Sequence, residues 1–258
     1  EGRINPDILR TVIPSVNKRF ILKKMDYAFA IAEKEIDFIR KFNPKVEYSP
    51  VPILLDEYEI AVPDPRSELG FGEEDFVFLC LGRVSNIKGQ DVALKAFARV
   101  AATMPEAKLV FVGRTDYEQD FYEYLHSFVT QNALQDRVFF TGMLDREKVL
   151  GWLRTADIHV IPVRFMNSGA VVVESWISDT PVIQSDVVDP NLVVEDFNGY
   201  LFPSENEDIL AEKMVKAFAN RSRLSKLAAN GKVLVKTRYT YDYLIDLYSK
   251  TYKKLLNP

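Results

Sequence analysis

Two residue types that build many catalytic sites are scarce in this chain of 258 residues. It has one cysteine, Cys80, and two histidines, His126 and His159. A lone cysteine cannot form an internal disulfide, and the apolar run around it, residues 76–81, predicts a buried core thiol. Two histidines supply little material for a His-rich metal site or a Ser-His-Asp triad. We therefore expect neither metal nor triad chemistry.

An excess of one charge and long apolar runs are also lacking. The 33 basic and 37 acidic residues give a formal net charge of −4, so no global basic field exists to hold nucleic acid or an anionic membrane. No apolar run approaches the ~18 residues of a membrane span, and no signal-peptide pattern opens the chain. We expect a cytoplasmic protein without nucleic-acid partners, and peripheral membrane association stays open. Any anion site must be local.

The distribution of prolines divides the chain. Seven of the 13 prolines lie in the first 75 residues, and five of these fall between Pro44 and Pro65. This cluster predicts an irregular connection. Before it, the apolar run 27–32 and the following residues 33–42 predict one strand and one helix.

From Phe76 onward, short apolar runs alternate with amphipathic stretches. Such alternation predicts right-handed βαβ units and a doubly wound, Rossmann-like parallel sheet with helices on both faces. In chain order, the expected elements are strand 76–82, helix 90–104, strand 108–113, helix 121–134, strand 137–142, helix 147–155, strand 158–163, helix 170–177 and strand 181–185. Three further helices are expected at 206–219, 221–238 and 241–256.

The loops that follow the strands are the candidate site, because open parallel sheets bind ligands outside the carboxyl ends of their strands. The first such loop, 82–89, carries Arg83 and Lys88. Two cations on one loop can neutralise a diphosphate, whose charge as a leaving group grows in the transition state. Two solvated surface cations are the alternative. The loop matches neither a Walker motif nor Gly-x-Gly-x-x-Gly.

The fourth loop leads into a predicted helix start at Ser168 and Gly169. Free amides and the helix dipole at this point suit a phosphate or a sugar hydroxyl, and a glycine lets a ligand approach the backbone. Glu174 follows further along the helix and could accept both hydroxyls of a ribose. A glutamate that only stabilises the helix dipole fits this position equally well. No Asp-x-Asp occurs in the chain, so a metal held by such carboxylates is not expected.

Taken together, these segments resemble the retaining glycosyltransferases of family 4, which have the GT-B fold. The resemblance extends from about Phe76 to Leu256 and rests on the joint order and spacing of short motifs. The motifs are Gly-Arg-x4-Lys-Gly at 82–89, the strand 108–113, Asp-Arg-Val-Phe-Phe-Thr-Gly at 136–142, Ala-Asp at 156–157 before a strand that ends in Pro162, residues 169–174, Pro-Val at 181–182 and Asn-Gly at 198–199.

The resemblance implies a hexosyltransferase-type enzyme that transfers a sugar, with retention and without metal, from a nucleoside-diphosphate sugar to an acceptor. Arg83 and Lys88 would bind the diphosphate and act catalytically on the leaving group, and Glu174 would hold the nucleotide ribose. The other donor-binding residues would be Arg114 and Met143 beside the base, and Met166, Asn167, Ser168, Gly169 and Ala170 near the sugar and phosphates. No cofactor is implied besides the donor substrate itself.

One position departs from the family pattern. The helix-start motif of the family carries two glutamates with seven residues between them. Glu174 matches the second, whereas Met166 occupies the place of the first. A thioether can pack against a sugar face but cannot accept a hydrogen bond from a hydroxyl as a carboxylate does.

A complete GT-B enzyme also has a first domain, which supplies the acceptor site, and only 75 residues precede Phe76 here. We interpret residues 1–75 as a remnant of that domain with the crossover linker, 76–240 as the donor-binding domain, and 241–258 as a crossover helix. The apolar stripe of this helix fits either a core face or a partner-docking face; it comprises Leu244, Leu247, Tyr248, Tyr252 and Leu255. The remaining domain would belong to the parent chain or to a partner subunit, and the isolated chain is expected to be inactive without it.

Two other functions stay open. The chain could be a non-catalytic or regulatory subunit that keeps the fold and pairs with a catalytic glycosyltransferase; Met166 and the missing domain favour this, whereas Arg83, Lys88 and Glu174 oppose it. A sugar epimerase or phosphorylase on the same fold is disfavoured by the scarcity of histidine.

Overall fold

A computed structural model describes residues 19–31, 33–165, 169–189 and 192–256 of the chain. By their internal contacts, these residues form two compact units. The larger unit contains the described residues of 52–241, and the smaller contains those of 1–51 and 242–258. Residues 52–75 therefore belong to the same compact unit as the sheet. The sequence suggested a domain boundary after them, at Phe76.

The smaller unit holds a two-stranded parallel sheet made of β1 (Ala28–Ala30) and β2 (Val46–Tyr48), with the helix α1 (Glu33–Arg40) between them in sequence. β1 and α1 confirm the strand and helix predicted before the proline cluster. β2 was not predicted. Its three residues carry a central glutamate and lie between Pro44 and Pro50, so they show no apolar periodicity.

Among the described residues, the last helix is Tyr241–Leu256, which agrees with its predicted bounds. Its apolar stripe divides. Leu244 is buried, and the ring of Tyr248 packs edge-on against Phe29 at a centroid distance of 4.6 Å. Tyr252, from the same stripe, is 57% exposed. Part of the stripe is thus a core face, and part of it faces solvent.

The larger unit is built on a six-stranded sheet in which every pairing is parallel. In chain order its strands are β3 (Phe76–Leu81), β4 (Ala107–Val112), β5 (Val138–Phe140), β6 (Ile158–Ile161), β7 (Val182–Ser185) and β8 (Tyr200–Phe202). Their order across the sheet is β5-β4-β3-β6-β7-β8. The chain winds outward from β3 in one direction, returns to β6 and winds outward in the other, which confirms the doubly wound, Rossmann-like fold.

The helices of this unit follow the predicted alternation. They are α2 (Gln90–Val100), α3 (Gln119–Gln131), α4 (Arg146–Thr155), α5 (Ala170–Ile177), α6 (Glu207–Ala219) and α7 (Arg221–Arg238), and we number the last helix of the chain α8. The bounds of α5 and α7 match the prediction. α2 ends earlier than expected, because a short 3-10 turn takes over at residues 101–103.

The core lies on both faces of this sheet. Phe76, Phe78 and Cys80 point into one apolar cluster, and Val77 and Leu79 point into the other. Such alternation is expected of a strand covered by helices on both sides. The predicted buried thiol is confirmed: Cys80 is 3% exposed, and burial raises the pKa of its thiol.

Residues 52–75 are anchored along α4. The guanidinium of Arg154 donates hydrogen bonds to the carbonyl oxygens of Tyr58 and Ile60. On the same helix, Gly151 approaches this segment so closely that a Cβ there would lie 2.6 Å from the carbonyl oxygen of Pro63. The segment is therefore packed against the sheet unit along part of its length.

A second glycine, Gly231 of α7, lies close to α5 and allows the two helices to pack. A Cβ at Gly231 would lie 2.3 Å from the indole ring of Trp176, which is fully buried. Alanine is favoured over glycine inside a helix by about 1 kcal/mol, but overpacking typically costs about 1–3 kcal/mol and occasionally more. We expect Gly231→Ala to lower the free energy of unfolding, measured by urea denaturation.

The matched control is Ala229→Gly, at an exposed position of the same helix. It should cost about 1 kcal/mol through helix propensity alone. A Gly231→Ala protein as stable as the wild type, or more stable, would contradict the described packing of α7 on α5.

Candidate functional site

The two central strands of the sheet part at their carboxyl ends, and we call the space between the loops that follow them the crevice. β3 pairs with β4 along its whole length but with β6 only at Phe78–Ile158 and Leu79–His159. Beyond these pairs the two strands are no longer hydrogen-bonded to each other, and the chain leaves them toward opposite sides of the sheet. This is the topological switch point at which doubly wound sheets bind ligands. The loop after β3 (82–89) and the loop after β6 (162–169) flank it.

His159 bridges the strands where the ladder ends. Its Nε2 accepts a hydrogen bond from the Leu81 amide at 3.1 Å, and its Nδ1 lies 2.7 Å from the Ser175 hydroxyl oxygen. That hydroxyl donates to the carbonyl of Val171, so it is free to accept from Nδ1. These contacts fit a neutral imidazole protonated at Nδ1. Burial, with a smaller contribution from the charge of Lys88, lowers the pKa of His159 to about 3.

The two cations predicted to bind phosphate lie close together. Arg83 is exposed, and its guanidinium carbon sits 4.1 Å from the centre of the Tyr117 ring. Lys88 is half-buried, and its side chain crosses over Gly82, where a Cβ would lie 3.7 Å from the lysine Cε. Burial and the nearby charge of Arg83 lower the pKa of Lys88. The sequence did not single out Tyr117.

Other cations of these loops are already paired. Arg114 forms an ion pair with Asp116 at 2.9 Å, and Arg164 forms one with Asp91 at 2.7 Å. Among the described residues, no carboxylate forms an ion pair with Arg83 or Lys88. Two neighbouring positive charges repel each other, and a bound anion would relieve that repulsion.

The loop after β4 braces the loop that carries the cations. The Val84 amide donates to the carbonyl of Arg114 at 2.7 Å, and the Asn86 amide donates to the Glu118 carboxylate at 2.8 Å. Gly113 comes so close that a Cβ there would lie 2.2 Å from the carbonyl oxygen of Gly82. The position of the cationic loop is therefore fixed by backbone contacts.

Arg164 fixes the other side of the crevice. Its guanidinium donates to both carboxylate oxygens of Asp91, at 2.8 and 2.7 Å, and to the carbonyl of Asn86 at 2.6 Å. Glu205 is a third partner, at 2.7 Å. Because Asn86 lies in the loop after β3 and Arg164 in the loop after β6, this side chain joins the two loops. Sequence reasoning assigned Arg164 no role, since nothing in its spacing shows that Asp91 is its partner.

Glu174, the predicted ribose ligand, lies half-buried on α5 and already has one partner. The hydroxyl of Tyr58 donates to its Oε1 at 2.9 Å. Burial, followed by the charge of Glu174 and the hydrogen bond to it, raises the pKa of Tyr58 to about 12. Tyr58 was missed because it lies in the proline-rich connection, 116 positions before its partner.

The structure describes some of the remaining predicted donor-binding residues but not all of them. Gly169 has a φ of 73° and caps the N-terminus of α5, which begins at Ala170. Arg114 is exposed and paired as above, and Met143 is 76% exposed. The predicted residues 166–168 (Met166, Asn167 and Ser168) lie outside the described residues.

Two features are absent from the described part of the chain. In these residues, no group of three or more histidine, cysteine, aspartate or glutamate side chains could hold a metal ion. Nor does any described helix combine the length and apolar character needed to cross a membrane.

The sequence matches a known family over most of the larger unit. Residues 62–234 match the family model described as glycosyl transferases group 1. This match covers more than half of the chain, which therefore belongs to that family.

Curated relatives are also glycosyltransferases. The chain is 26% identical over 213 residues to a GDP-mannose-dependent monoacylated alpha-(1-6)-phosphatidylinositol monomannoside mannosyltransferase of Corynebacterium glutamicum, covering 78% of this chain and 54% of the relative. It is 25% identical over 237 residues to a D-inositol 3-phosphate glycosyltransferase of Xylanimonas cellulosilytica, covering 86% and 56%. The chain thus spans about half the length of the curated relatives it matches.

Solved structures share the fold. The C-terminal domain of a group 1 glycosyl transferase from Francisella tularensis superposes with a TM-score of 0.66 at 24% identity, covering 73% of this chain and 99% of that domain. Anabaena HepE in complex with UDP and glucose gives a TM-score of 0.75 at 22% identity, covering 88% and 62%. These likenesses confirm the architecture of a GT-B C-terminal domain.

The buried imidazole at the switch point predicts a pH dependence of stability. The pKa of His159 falls from 6.5 to about 3 on folding, so below pH 6.5 the unfolded chain takes up a proton that the folded chain does not. Stability is therefore lost as the pH falls from 6.5 toward 3, by at most about 1.4 kcal/mol per pH unit. We expect His159→Gln to remove about 1.5 kcal/mol of the loss between pH 6.5 and 5, measured by urea denaturation.

His126→Gln is the control, because it replaces the only other histidine of the chain, on the exposed side of α3. It should leave the wild-type pH dependence in place. Equal pH dependence in His159→Gln and the wild type would show that His159 is not buried in its neutral form.

Proposed function

We propose that this chain is the donor-binding half of a retaining, metal-independent glycosyltransferase that uses a nucleoside-diphosphate sugar. The observation that carries the proposal is the pair of cations, Arg83 and Lys88, at the switch point of the sheet. Both lie in the loop that follows β3, and neither forms an ion pair with a described carboxylate. A diphosphate is the ligand whose charge and size fit such a pair.

The desolvation of Lys88 supports the same assignment. Burial and the charge of Arg83 lower the pKa of Lys88, which means that the charged ammonium is held there at a cost in free energy. An anion bound between the two side chains would offset that cost. The same two cations would then stabilise the negative charge that develops on a departing diphosphate.

Residues on the other side of the crevice would bind the rest of the donor. The amides of Ala170 and Val171 begin α5 without an acceptor in the helix, whereas those of Val172 and Val173 donate to the Gly169 carbonyl. The first two amides suit a phosphate or sugar oxygen. Glu174 lies on the same helix and would accept the ribose hydroxyls. Gly169, Met166, Asn167 and Ser168 would complete the surface that faces the sugar.

Relatives support a nucleoside-diphosphate donor but differ in the base. HepE is solved with UDP, whereas the mannosyltransferase of C. glutamicum is named as GDP-mannose-dependent. Arg114 and Met143 stand on the loops that would flank the base. We therefore propose a nucleoside-diphosphate sugar as the donor class, and calorimetry with UDP, GDP and ADP would identify the base.

Transfer with retention would use the departing diphosphate itself. The bond between the anomeric carbon and the phosphate oxygen breaks with its electron pair on that oxygen, where Arg83 and Lys88 stabilise the charge. The acceptor hydroxyl attacks from the same face, and its proton passes to the departing phosphate oxygen. The acceptor would be held by a further domain, on the same longer chain or on a partner subunit, since a two-domain cleft aligns the acceptor and expels water.

The phosphate assignment predicts the effect of removing both cations. We expect the chain to bind one of UDP, GDP or ADP in calorimetry with EDTA present. Arg83→Ala combined with Lys88→Ala should weaken that binding by about 2–4 kcal/mol, because charge-assisted hydrogen bonds contribute about 1.5–3 kcal/mol each and exposure of Arg83 screens part of this.

A charge-matched control is Lys226→Ala combined with Lys236→Ala, which removes two exposed lysines from α7. It should leave the affinity unchanged. Unchanged affinity in the Arg83 and Lys88 double variant, or binding that is lost with EDTA, would refute the proposed role of these cations.

A further inference from the structure

One contact of the candidate site involves a segment that the proposed function does not use. The hydroxyl of Tyr58 donates a hydrogen bond to Glu174 Oε1 over 2.9 Å. Tyr58 ends the 3-10 helix Leu55–Tyr58, in the connection that precedes the sheet. The side chain is 6% exposed. A buried tyrosine from a separate segment is therefore the described partner of the carboxylate proposed to bind ribose.

The backbone and the ring of Tyr58 both contact α4, and its hydroxyl also interacts there with the side chain of Arg146. Its carbonyl accepts a hydrogen bond from Arg154 of α4. Its ring lies 5.2 Å from the guanidinium carbon of Arg146, which also donates to the Glu57 carboxylate at 2.6 Å. Both arginines belong to α4, so the tyrosine is fixed on one helix while its hydroxyl reaches Glu174 on another.

This hydrogen bond orients Glu174 without using up its binding capacity. A carboxylate offers about four acceptor positions on its two oxygens. The Tyr58 hydroxyl takes one of them on Oε1, and the others are sufficient for two vicinal hydroxyls. A glutamate that is held in place before binding also loses less rotamer freedom when the ligand arrives. Since the pKa of Tyr58 is raised to about 12, the hydroxyl stays protonated and remains a donor at neutral pH.

We propose that Tyr58 is a positioning residue for ribose recognition: its hydroxyl orients Glu174 toward the vicinal hydroxyls of the nucleotide and so makes the site prefer ribonucleotides to 2′-deoxyribonucleotides. The proposal rests on the proposed function, because it requires that Glu174 faces a ribose. It adds a specificity role for a residue of the connecting segment, outside the loops of the crevice.

The test is the ratio of two affinities. Calorimetry identifies which of UDP, GDP and ADP binds the wild-type chain most tightly, and the same measurement is made with its 2′-deoxy counterpart. We expect the wild type to prefer the ribonucleotide by about tenfold or more, the size of one hydrogen bond to a charged group. Tyr58→Phe keeps the ring beside Arg146 and should reduce this preference to about twofold, and Glu174→Ala should abolish it.

Two controls separate positioning from general damage. Tyr122→Phe removes a tyrosine hydroxyl that lies 2.8 Å from His126 Nε2 on α3, and it should keep the wild-type preference. Inorganic pyrophosphate probes the phosphate site without a ribose. Its affinity should be equal in the wild type and in Tyr58→Phe, whereas a variant with a disturbed crevice would lose affinity for pyrophosphate as well.

The outcomes are distinguishable. If Glu174→Ala abolishes the preference but Tyr58→Phe retains it as Tyr122→Phe does, the proposal for Tyr58 is wrong and the proposed function stands. If Tyr58→Phe weakens pyrophosphate binding along with nucleotide binding, its role is structural and the proposal is again wrong. If the wild type binds none of the three nucleotides, or binds one without regard to its 2′-hydroxyl, the ribose assignment of Glu174 fails, and the proposal for Tyr58 fails with it.

Discussion

The site depends on the point at which β3 and β6 stop pairing. Adjacent parallel strands normally satisfy each other's amides, so two strands that part at the centre of a sheet leave a buried donor without a partner. Here the imidazole of His159 takes the place of the missing ladder bond to Leu81 and is itself held by Ser175. The crevice can open at this position because a neutral side chain completes the hydrogen bonding beneath it. The cationic loop and α5 then lie on either side of that opening.

Two arginines near the crevice show how the same side chain serves different purposes. Arg164 is largely buried and saturated by Asp91, Glu205 and a backbone carbonyl, as a buried cation must be to offset its desolvation. Arg83 is exposed, and its described contact is the face of Tyr117. The first arginine joins two loops, and the second is available to a ligand. For this reason we propose Arg83 and Lys88 as the ligands of the diphosphate. The other cations of the loops, Arg114 and Arg164, are paired with carboxylates.

The alternation of apolar runs with amphipathic stretches was sufficient for the sheet from β3 to β7 and for the helices. It failed at β2, which carries a central glutamate, and at β8, whose apolar run is confined between Gly199 and Pro203. That Arg83 and Lys88 lie in the loop after β3 and Glu174 on α5 also followed from the sequence, through strand ends and motif spacing; their roles in binding stay predictions. Tyr58 and Arg164 could not be found that way, since their roles come from contacts with residues 116 and 73 positions away. The roles of Met166, Asn167 and Ser168 stay predictions.

In the proposed donor site, one nucleoside diphosphate spans the switch point, with its phosphates on the cationic loop and its ribose on α5. A crystal structure of this chain grown with whichever of UDP, GDP and ADP it binds tests this placement. We expect phosphate oxygens within hydrogen-bonding distance of Lys88 Nζ and the Arg83 guanidinium, and the ribose hydroxyls on the Glu174 carboxylate. A nucleotide ordered elsewhere on the chain, with both cations and Glu174 away from it, would contradict this placement.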